Sequence, residues 1–150
     1  MTRHATPTET DTRLTRNEDE TEALGRHLAT RLRGGEVIAL YGDLGAGKTV
    51  FARGLARGLG IALPITSPTF AIVQEYQGAD LRFYHVDLYR LGTAAEAQAF
   101  GLDEMLADPH GVTAIEWPER LGPQLAACRP VVVRLAHDPA GRRVTVTAGG

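Results

Sequence analysis

Residues 42–49 read Gly-Asp-Leu-Gly-Ala-Gly-Lys-Thr, in which three spaced glycines precede a lysine and a threonine. Residues 36–41, directly before this stretch, are mostly apolar and are typical of a short buried strand. Directly after it, Phe51, Leu55 and Leu59 recur every four residues and indicate one face of a helix. A glycine-rich turn between a strand and a helix is the context in which this pattern forms a phosphate-binding loop. The stretch therefore predicts a nucleotide-binding protein of the α/β class.

The predicted loop holds a polyphosphate by geometry. Glycines let the backbone curl so that consecutive N–H groups point inward, and a helix that begins near Lys48 adds the positive end of its dipole. Lys48, the only lysine in the chain, can then reach the β- and γ-phosphates, while Thr49 offers its hydroxyl to Mg²⁺. We expect the Lys48 side chain to be solvated in this site and not part of the core. The predicted cofactor-binding residues are Asp43, Leu44, Gly45, Ala46, Gly47, Lys48, Thr49 and Val50.

Size and composition are those of a single globular domain. The chain has 150 residues, of which 43% are apolar and 23% charged. Its net charge of −2 argues against a free-standing RNA-binding protein, though not against an accessory to one. The single cysteine, Cys128, excludes an internal disulfide. No apolar run reaches the length of a membrane span and the N-terminus lacks the apolar segment of a signal peptide, so we expect a cytoplasmic protein.

The order of the predicted elements favours a mixed sheet. Residues 1–15 are polar and rich in threonine, so we expect a disordered tail, and residues 16–150 are expected to form one P-loop domain. The first helix is predicted to start at Asn17, a good N-cap with Glu20 three residues later. Strands that alternate with helices and later pair with each other predict a single-domain α/β, P-loop NTPase-like mixed β-sheet flanked by helices. Hairpins are predicted for residues 70–76 with 81–86 and, closing the C-terminus, for 131–135 with 144–147, and helices for 93–100 and 102–106.

Two acidic residues are predicted at the ends of strands. Phe83, His85 and Asp87 alternate along one strand, which places Asp87 at its carboxyl end. The mostly apolar run 112–116 delivers Glu116 to the end of another strand. Because ligands of α/β sheets bind at the carboxyl edge of the strands, both acids are candidates for the metal and for the attacking water. A solvated cap or a salt bridge is the alternative for either acid alone, and the pattern leaves open which acid serves the metal and which the water.

Four further features are weaker candidates. The hydroxyl residues within 66–69, Thr-Ser-Pro-Thr, can form a switch-like element that senses the γ-phosphate, and ordinary turn chemistry explains them equally well. Arg90 can pair with a phosphate or with a surface carboxylate. We expect His85 to be a packed strand residue and Trp117 to be a core or interface aromatic.

Four separated motifs occur in a fixed order along the chain. They are the loop at 42–49, Ser-Pro-Thr-Phe at 67–70, His-Val-Asp-Leu-Tyr-Arg at 85–90 and Ile-Glu-Trp-Pro at 115–118. Together they closely resemble the bacterial TsaE (YjeE) family, the small ATPases of tRNA threonylcarbamoyladenosine biosynthesis. The loop alone is weakly specific, whereas the His-x-Asp-x-Tyr-Arg and Glu-Trp motifs at matching distances are highly specific.

This resemblance implies an ATP-binding, Mg²⁺-dependent ATPase that supports a TsaB–TsaD heterodimer, the pair that transfers threonylcarbamoyl to the adenosine beside the anticodon. It implies contact with tRNA through that complex, weak hydrolysis by the chain alone and no transferase activity of its own. Asp87 becomes the Walker B-like acid acting on Mg²⁺, and Glu116 a catalytic or metal-associated acid. The implied catalytic residues are Glu116, Asp87 and Lys48, and the implied metal ligands are Thr49, Asp87 and Glu116.

Several alternatives compete with this function. A chance glycine turn before a helix is disfavoured by the complete loop pattern in its context. A small-molecule P-loop kinase needs an acceptor pocket and usually an arginine-rich lid, and here only Arg120 and the scattered Arg142 and Arg143 stand out. A non-catalytic adaptor would use ATP only to order a surface. A GTPase is disfavoured because the Asn-Lys-x-Asp guanine motif cannot exist in a chain whose only lysine is Lys48.

Overall fold

The computed structural model describes residues 10–43, 45–65, 73–89 and 101–148 of the chain. The strands are β1 Thr10–Thr15, β2 Val37–Tyr41, β3 Val73–Gln77, β4 Arg82–Asp87, β5 Gly111–Glu116, β6 Val131–Asp138 and β7 Gly141–Thr147. The helices are α1 Glu18–Ala29, α2 Lys48–Gly58, α3 Leu102–Leu106 and α4 Pro123–Ala127, and a 3-10 turn covers Pro118–Arg120. None of the helices in these described ranges is long and apolar enough to cross a membrane.

A seven-stranded mixed sheet organises the protein, with the strand order β1-β7-β6-β2-β5-β4-β3. The four central strands, β6, β2, β5 and β4, run parallel, and the antiparallel pairs β6–β7, β1–β7 and β3–β4 complete the two edges. Residues 37–40 of β2 are all buried, as expected of a central strand that is covered on both faces. The predicted P-loop NTPase-like mixed sheet is therefore confirmed, and its topology brings the carboxyl ends of β2, β4 and β5 to one edge.

Each face of the sheet carries its own apolar core. On one face, Phe51 and Leu55 of α2 pack with Leu40 of β2, which confirms the helical face predicted after the glycine loop. On the other face, Leu125 of α4 joins Ile115 of β5 in a smaller cluster. Successive residues of the central strands therefore point to opposite cores, which holds the strand ends in fixed positions relative to each other.

Helices α1 and α2 pack closely because glycines lie where their backbones meet. A Cβ atom at Gly54 would lie 2.1 Å from the carbonyl oxygen of Glu22, and one at Gly25 would lie 2.3 Å from that of Phe51. Both neighbours are backbone atoms, which cannot rotate away from an added methyl group. The contact is therefore specified by the absence of side chains at these two positions.

Gly54→Ala is expected to lower the melting temperature, although alanine is the better helix former. Overpacking costs about 1–3 kcal/mol, which exceeds the gain of about 1 kcal/mol in helix propensity. Thermal unfolding followed by circular dichroism measures the change. Arg26→Ala, an exposed substitution on α1, is the matched control and is expected to change stability by less than about 0.5 kcal/mol. A Gly54→Ala variant as stable as the parent protein would contradict the close approach.

At the opposite end of the parallel strands, Asp108 is surrounded by donors. Arg82 Nε lies 2.9 Å and the Tyr84 hydroxyl 2.7 Å from its Oδ2 atom, and the His110 N–H lies 2.9 Å from its Oδ1 atom. These hydrogen bonds, that from Arg82 first, hold the pKa of Asp108 well below its usual value. The ionised carboxylate therefore ties the start of β4 to the segment that precedes β5.

Asp108→Asn is expected to lower the melting temperature at neutral pH by more than it does in acid. A carboxyl whose pKa is lowered by folding stabilises the folded state above its unfolded pKa of 3.8, and this contribution is lost as the pH falls toward the lower folded-state pKa. The difference between the parent protein and the variant should therefore shrink below about pH 4. Thermal unfolding at several pH values tests this, with the exposed Asp80→Asn as control. A difference that is the same at neutral and acid pH would contradict the ionic role.

The prediction of a disordered tail over residues 1–15 is wrong for Thr10–Thr15, which form β1. This strand pairs with β7 along its whole length and lies at the edge of the sheet, where five of its six residues are exposed. The strand is ordered by backbone hydrogen bonds to β7 and not by burial of apolar side chains. A composition rich in threonine and charge therefore did not predict it. Residues 1–9 lie outside the described residues.

Most of the other predicted elements are confirmed. The Asn17 side chain caps α1 by accepting the N–H of Glu20 at 2.9 Å. The C-terminal hairpin β6–β7 forms as predicted, and α3 occupies the predicted 102–106. The strand predicted for 70–76 is described from Val73 onward and pairs with β4. The predicted helix 93–100, the hydroxyl segment 66–69 and Arg90 lie outside the described residues.

Candidate functional site

The glycine-rich loop runs from the carboxyl end of β2 to the N-terminus of α2, at the edge of the sheet. Gly47 caps α2 with a φ of 106°. Glycine adopts this left-handed conformation freely, whereas a residue with a side chain would be strained there. Gly42 lies so close to β6 that a Cβ atom there would be 2.7 Å from the carbonyl oxygen of Leu135. The N–H of Ala46 donates to the carbonyl of Asp43 at 3.0 Å and closes the turn. The loop thus leads directly into the N-terminus of α2, and the positive end of a helix dipole is a feature to which anions can bind.

The predicted cofactor-binding residues occupy different depths of this loop. Asp43 and Gly45 are exposed, Ala46 is buried and Val50 is half-buried in the first turn of α2. Leu44 lies outside the described residues. The exposed positions lie at the tip of the loop, and Ala46 anchors it to the first core.

Lys48 is buried, and the expectation that it is solvated is wrong. Its side chain is folded back so that Nζ donates to the carbonyl of Gly42 at 2.7 Å and lies 3.8 Å from the centre of the Trp117 ring. The residue is only 5% exposed. Burial lowers the pKa of Lys48, and the nearby carboxylate of Glu116 opposes that shift. The indole face and the loop carbonyl replace water around the ammonium group, which the sequence pattern of the loop does not reveal.

The two predicted acids lie side by side at the same edge. Asp87 ends β4, Glu116 ends β5, and the two residues are register partners on neighbouring parallel strands. Glu116 is 3% exposed, and its Oε2 atom accepts the hydroxyl of Thr49 at 3.1 Å. Asp87 accepts the N–H of Tyr89 at 3.0 Å, and burial raises its pKa against the effect of that hydrogen bond. Alternation placed each acid at the end of its strand, and the order of β2, β5 and β4 in the sheet places both at the edge where α2 begins.

His85 also belongs to the site, as the sequence analysis did not anticipate. It is fully buried, which confirms the prediction of a packed strand residue. In addition, its Nε2 atom lies 2.7 Å from Oε2 of Glu116, the same oxygen that Thr49 contacts. The signal was present in the alternation of β4, because His85 and Asp87 are two residues apart and share a face. Its contact with the neighbouring strand depends on the register of β4 and β5.

Trp117 forms one wall of the site. It adopts a left-handed conformation with φ 60° and ψ 50°, which is uncommon for a residue with a large side chain. This turn directly after β5 places the indole ring over Lys48 Nζ, and the ring of Tyr89 packs against it at 4.9 Å between centres. Tyr89 remains 44% exposed. Trp117 therefore separates Lys48 from Tyr89, the member of the aromatic pair that is exposed at the protein surface.

Arg142 is the second residue that sequence reasoning missed. Its guanidinium donates to the carbonyl of Gly45 at 3.1 Å, so the start of β7 is tied to the tip of the loop. A cleft of about 180 Å³ lies between them, lined also by Asn17, Thr21 and Val50. Because Arg142 is 97 residues from Gly45 in the chain, no local pattern indicates this contact.

The donor set at the sheet edge fits Mg²⁺. Magnesium prefers oxygen ligands and usually takes one or two carboxylates together with phosphate oxygens and water. Thr49, Asp87 and Glu116 supply one hydroxyl and two carboxylates. Within the described parts of the chain, no three histidine, cysteine or acidic side chains are grouped so as to hold a metal alone. These three side chains could hold a magnesium ion together with phosphate oxygens and water.

Comparison with known proteins agrees with this geometry. A family model described as threonylcarbamoyl adenosine biosynthesis protein TsaE matches residues 15–144. A Bacillus subtilis protein named tRNA threonylcarbamoyladenosine biosynthesis protein TsaE is 42% identical over 135 residues, which cover 89% of this chain and 83% of that protein. A protein of the same name from Synechocystis sp. is 50% identical over 107 residues, or 70% of this chain and 68% of that protein.

A solved structure of a similar protein has the same fold. The crystal structure of YdiB from Bacillus subtilis matches with a TM-score of 0.76 and 34% sequence identity, over 95% of this chain and 88% of that one. The residues matched by the family model include the glycine loop, both strand-end acids, His85 and Arg142. The chain belongs to the TsaE family of threonylcarbamoyl adenosine biosynthesis proteins.

Proposed function

We propose that this chain is an ATP-binding, Mg²⁺-dependent ATPase that acts as an accessory subunit of a TsaB–TsaD type heterodimer in the threonylcarbamoylation of tRNA. The observation that carries the ATPase activity is the meeting of the loop lysine, the adjacent threonine and two strand-end acids at one edge of the sheet. The place in tRNA modification is supported by membership of the TsaE family. A cytoplasmic location, and contact with tRNA through the complex, are parts of the same proposal.

Binding of the triphosphate begins at the N-terminus of α2. Phosphate oxygens are charged acceptors and attract an ammonium group more strongly than a neutral carbonyl does. Lys48 is therefore expected to leave the carbonyl of Gly42 and to donate to the β- and γ-phosphates. Its contact with the face of Trp117 keeps the amine near the loop while it exchanges partners.

The two acids then divide the remaining work. A magnesium ion bound with the nucleotide would neutralise part of the charge on the phosphates. Thr49 and Asp87 are the side chains that hold it in this proposal. Glu116, oriented by the hydrogen bond from His85, accepts a proton from the water that attacks the γ-phosphorus, while the bond to the leaving ADP oxygen breaks.

Slow hydrolysis by the chain alone fits the contacts in this site. Lys48 is hydrogen-bonded to its own loop, and Thr49 is hydrogen-bonded to Glu116. Both groups must exchange these partners before they serve the nucleotide. A protein partner that stabilises the exchanged arrangement would accelerate the reaction without contributing a new chemical group.

Steady-state release of phosphate from ATP tests the proposal, with and without the TsaB–TsaD pair and tRNA. We expect a low basal rate that the partners stimulate and that Glu116→Gln lowers by about 10²- to 10⁴-fold. The absence of stimulation, together with tRNA modification that does not require this chain, would contradict the accessory role. Transfer of the γ-phosphate to an added small molecule in place of water would instead identify a kinase.

A further inference from the structure

We propose that His85 is a positioning residue that holds the carboxylate of Glu116 in its working orientation, an inference that rests on the proposed ATPase function. The His85 Nε2 atom lies 2.7 Å from Glu116 Oε2, and neither residue is more than 3% exposed. Because a carboxylate oxygen only accepts, the ring nitrogen donates. The imidazole is completely buried and its described polar contact is with Glu116, so it acts through that carboxylate.

His85 becomes important when the other donor to Glu116, the Thr49 hydroxyl, turns away from the carboxylate. Glu116 Oε2 accepts from both His85 and Thr49. The proposed function requires the Thr49 hydroxyl to turn toward the metal, which removes one of these hydrogen bonds. The backbone of Glu116 stays fixed in β5, where its carbonyl accepts the N–H of Leu88 at 3.1 Å. His85 is then the described donor that still restrains the side chain, so the direction of the carboxylate depends on it.

The remaining nitrogen of the ring indicates that packing alone does not account for a histidine at this position. Nδ1 is buried and has no hydrogen-bond partner among the described residues. A buried polar atom without a partner destabilises the folded state, and an apolar side chain of similar size would avoid that loss. The neighbouring Phe83 packs parallel to the imidazole, at 6.2 Å between ring centres, and shows that this face of β4 accepts apolar rings. The polar ring is explained by its contact with Glu116.

Three variants separate positioning from packing. His85→Leu removes the donor and keeps an apolar side chain in the core. His85→Gln keeps an N–H near the place of Nε2 and should restore much of the lost function. Phe83→Leu, two residues away on the same strand and face, is the matched control for a change of packing near the site. Melting temperatures of all three variants are measured first, so that rates are compared between folded proteins.

The kinetic experiment measures ATP hydrolysis in the presence of the TsaB–TsaD pair and tRNA. We expect His85→Leu to lower the rate at saturating ATP by about 10- to 100-fold while the Michaelis constant changes by less than about twofold. His85→Gln should recover most of the rate, and Phe83→Leu should keep it. A folded His85→Leu variant with the full rate, or a Phe83→Leu variant that loses as much, would overturn the proposal.

A second readout does not depend on hydrolysis and keeps the two proposals distinguishable. Long-range proton–nitrogen correlation spectra of the nucleotide-free protein report the proton on Nε2 of His85. We expect this proton to be protected from exchange and to shift in Glu116→Gln. An Nε2 proton that exchanges freely, or whose chemical shift is unchanged in Glu116→Gln, would overturn the positioning role. If the spectra agree but the complex releases no phosphate, the contact stands and the ATPase proposal fails.

Discussion

Lys48→Ala is expected to weaken ATP binding by about 10- to 100-fold, because a hydrogen bond to a charged group contributes about 1.5–3 kcal/mol and each 1.4 kcal/mol is tenfold in affinity. Lys48 is the only lysine of the chain, and it lies at the N-terminus of α2, where we propose that phosphate oxygens bind. The substitution also removes the contact with Trp117. Isothermal titration calorimetry with ATP and Mg²⁺ measures the loss.

A matched substitution separates the charge of Lys48 from its packing. Because the residue is 5% exposed and lies against Trp117, alanine leaves space beside the indole ring. Lys48→Met keeps most of the aliphatic stem and removes only the ammonium group. Both variants are expected to remain folded and to lose affinity to a similar degree. An unchanged affinity in folded Lys48→Ala would contradict the site, and a loss in alanine but not in methionine would assign it to packing.

Glu116→Gln is expected to lower the rate of ATP hydrolysis by about 10²- to 10⁴-fold, which is the usual contribution of a general base. The glutamine amide oxygen can still accept from Thr49 and His85, so the geometry of the edge should survive. Only the negative charge and the capacity to take a proton are lost. Single-turnover hydrolysis measures the effect, and calorimetry is expected to show ATP affinity close to that of the parent protein.

Asp87→Ala is the companion variant for this experiment. Asp87 is the register partner of Glu116 and is assigned to the metal, so its loss should impair hydrolysis more than binding. An equal loss of both would indicate a structural role for Asp87. Full support of tRNA modification by a Glu116→Gln variant that binds ATP without hydrolysing it would favour a nucleotide-dependent adaptor over an ATPase. Hydrolysis at the full rate in that variant would remove Glu116 from the chemistry.

Sequence reasoning succeeded where the determining interactions are local. The strand, loop and helix around residues 42–49 are contiguous, and each carries its own periodicity or glycine signal. Asp87 and Glu116 were found because a strand alternates and ends at a defined residue, and because parallel strands end at the same edge. The backbone conformation of each of these segments is specified by residues within that segment.

It failed where a residue depends on a distant part of the chain. Thr10–Thr15 is ordered by pairing with β7, at the other end of the sequence, and carries no apolar signal of its own. Arg142 reaches the loop only because β6 lies beside β2. Burial of Lys48 depends on the left-handed turn at Trp117. The residues next to Trp117 in the sequence do not predict this turn.

By itself, the sequence of this protein determined the class of the fold, the position of the glycine-rich loop and the two strand-end acids near it. These features depend on backbone conformation and on side-chain periodicity, which neighbouring residues specify. The tertiary structure alone decided which of these groups touch, that Lys48 lies against Trp117 and that His85 and Thr49 share one oxygen of Glu116. Such contacts depend on strand order and register, which are set by the packing of the whole sheet and not by any single segment.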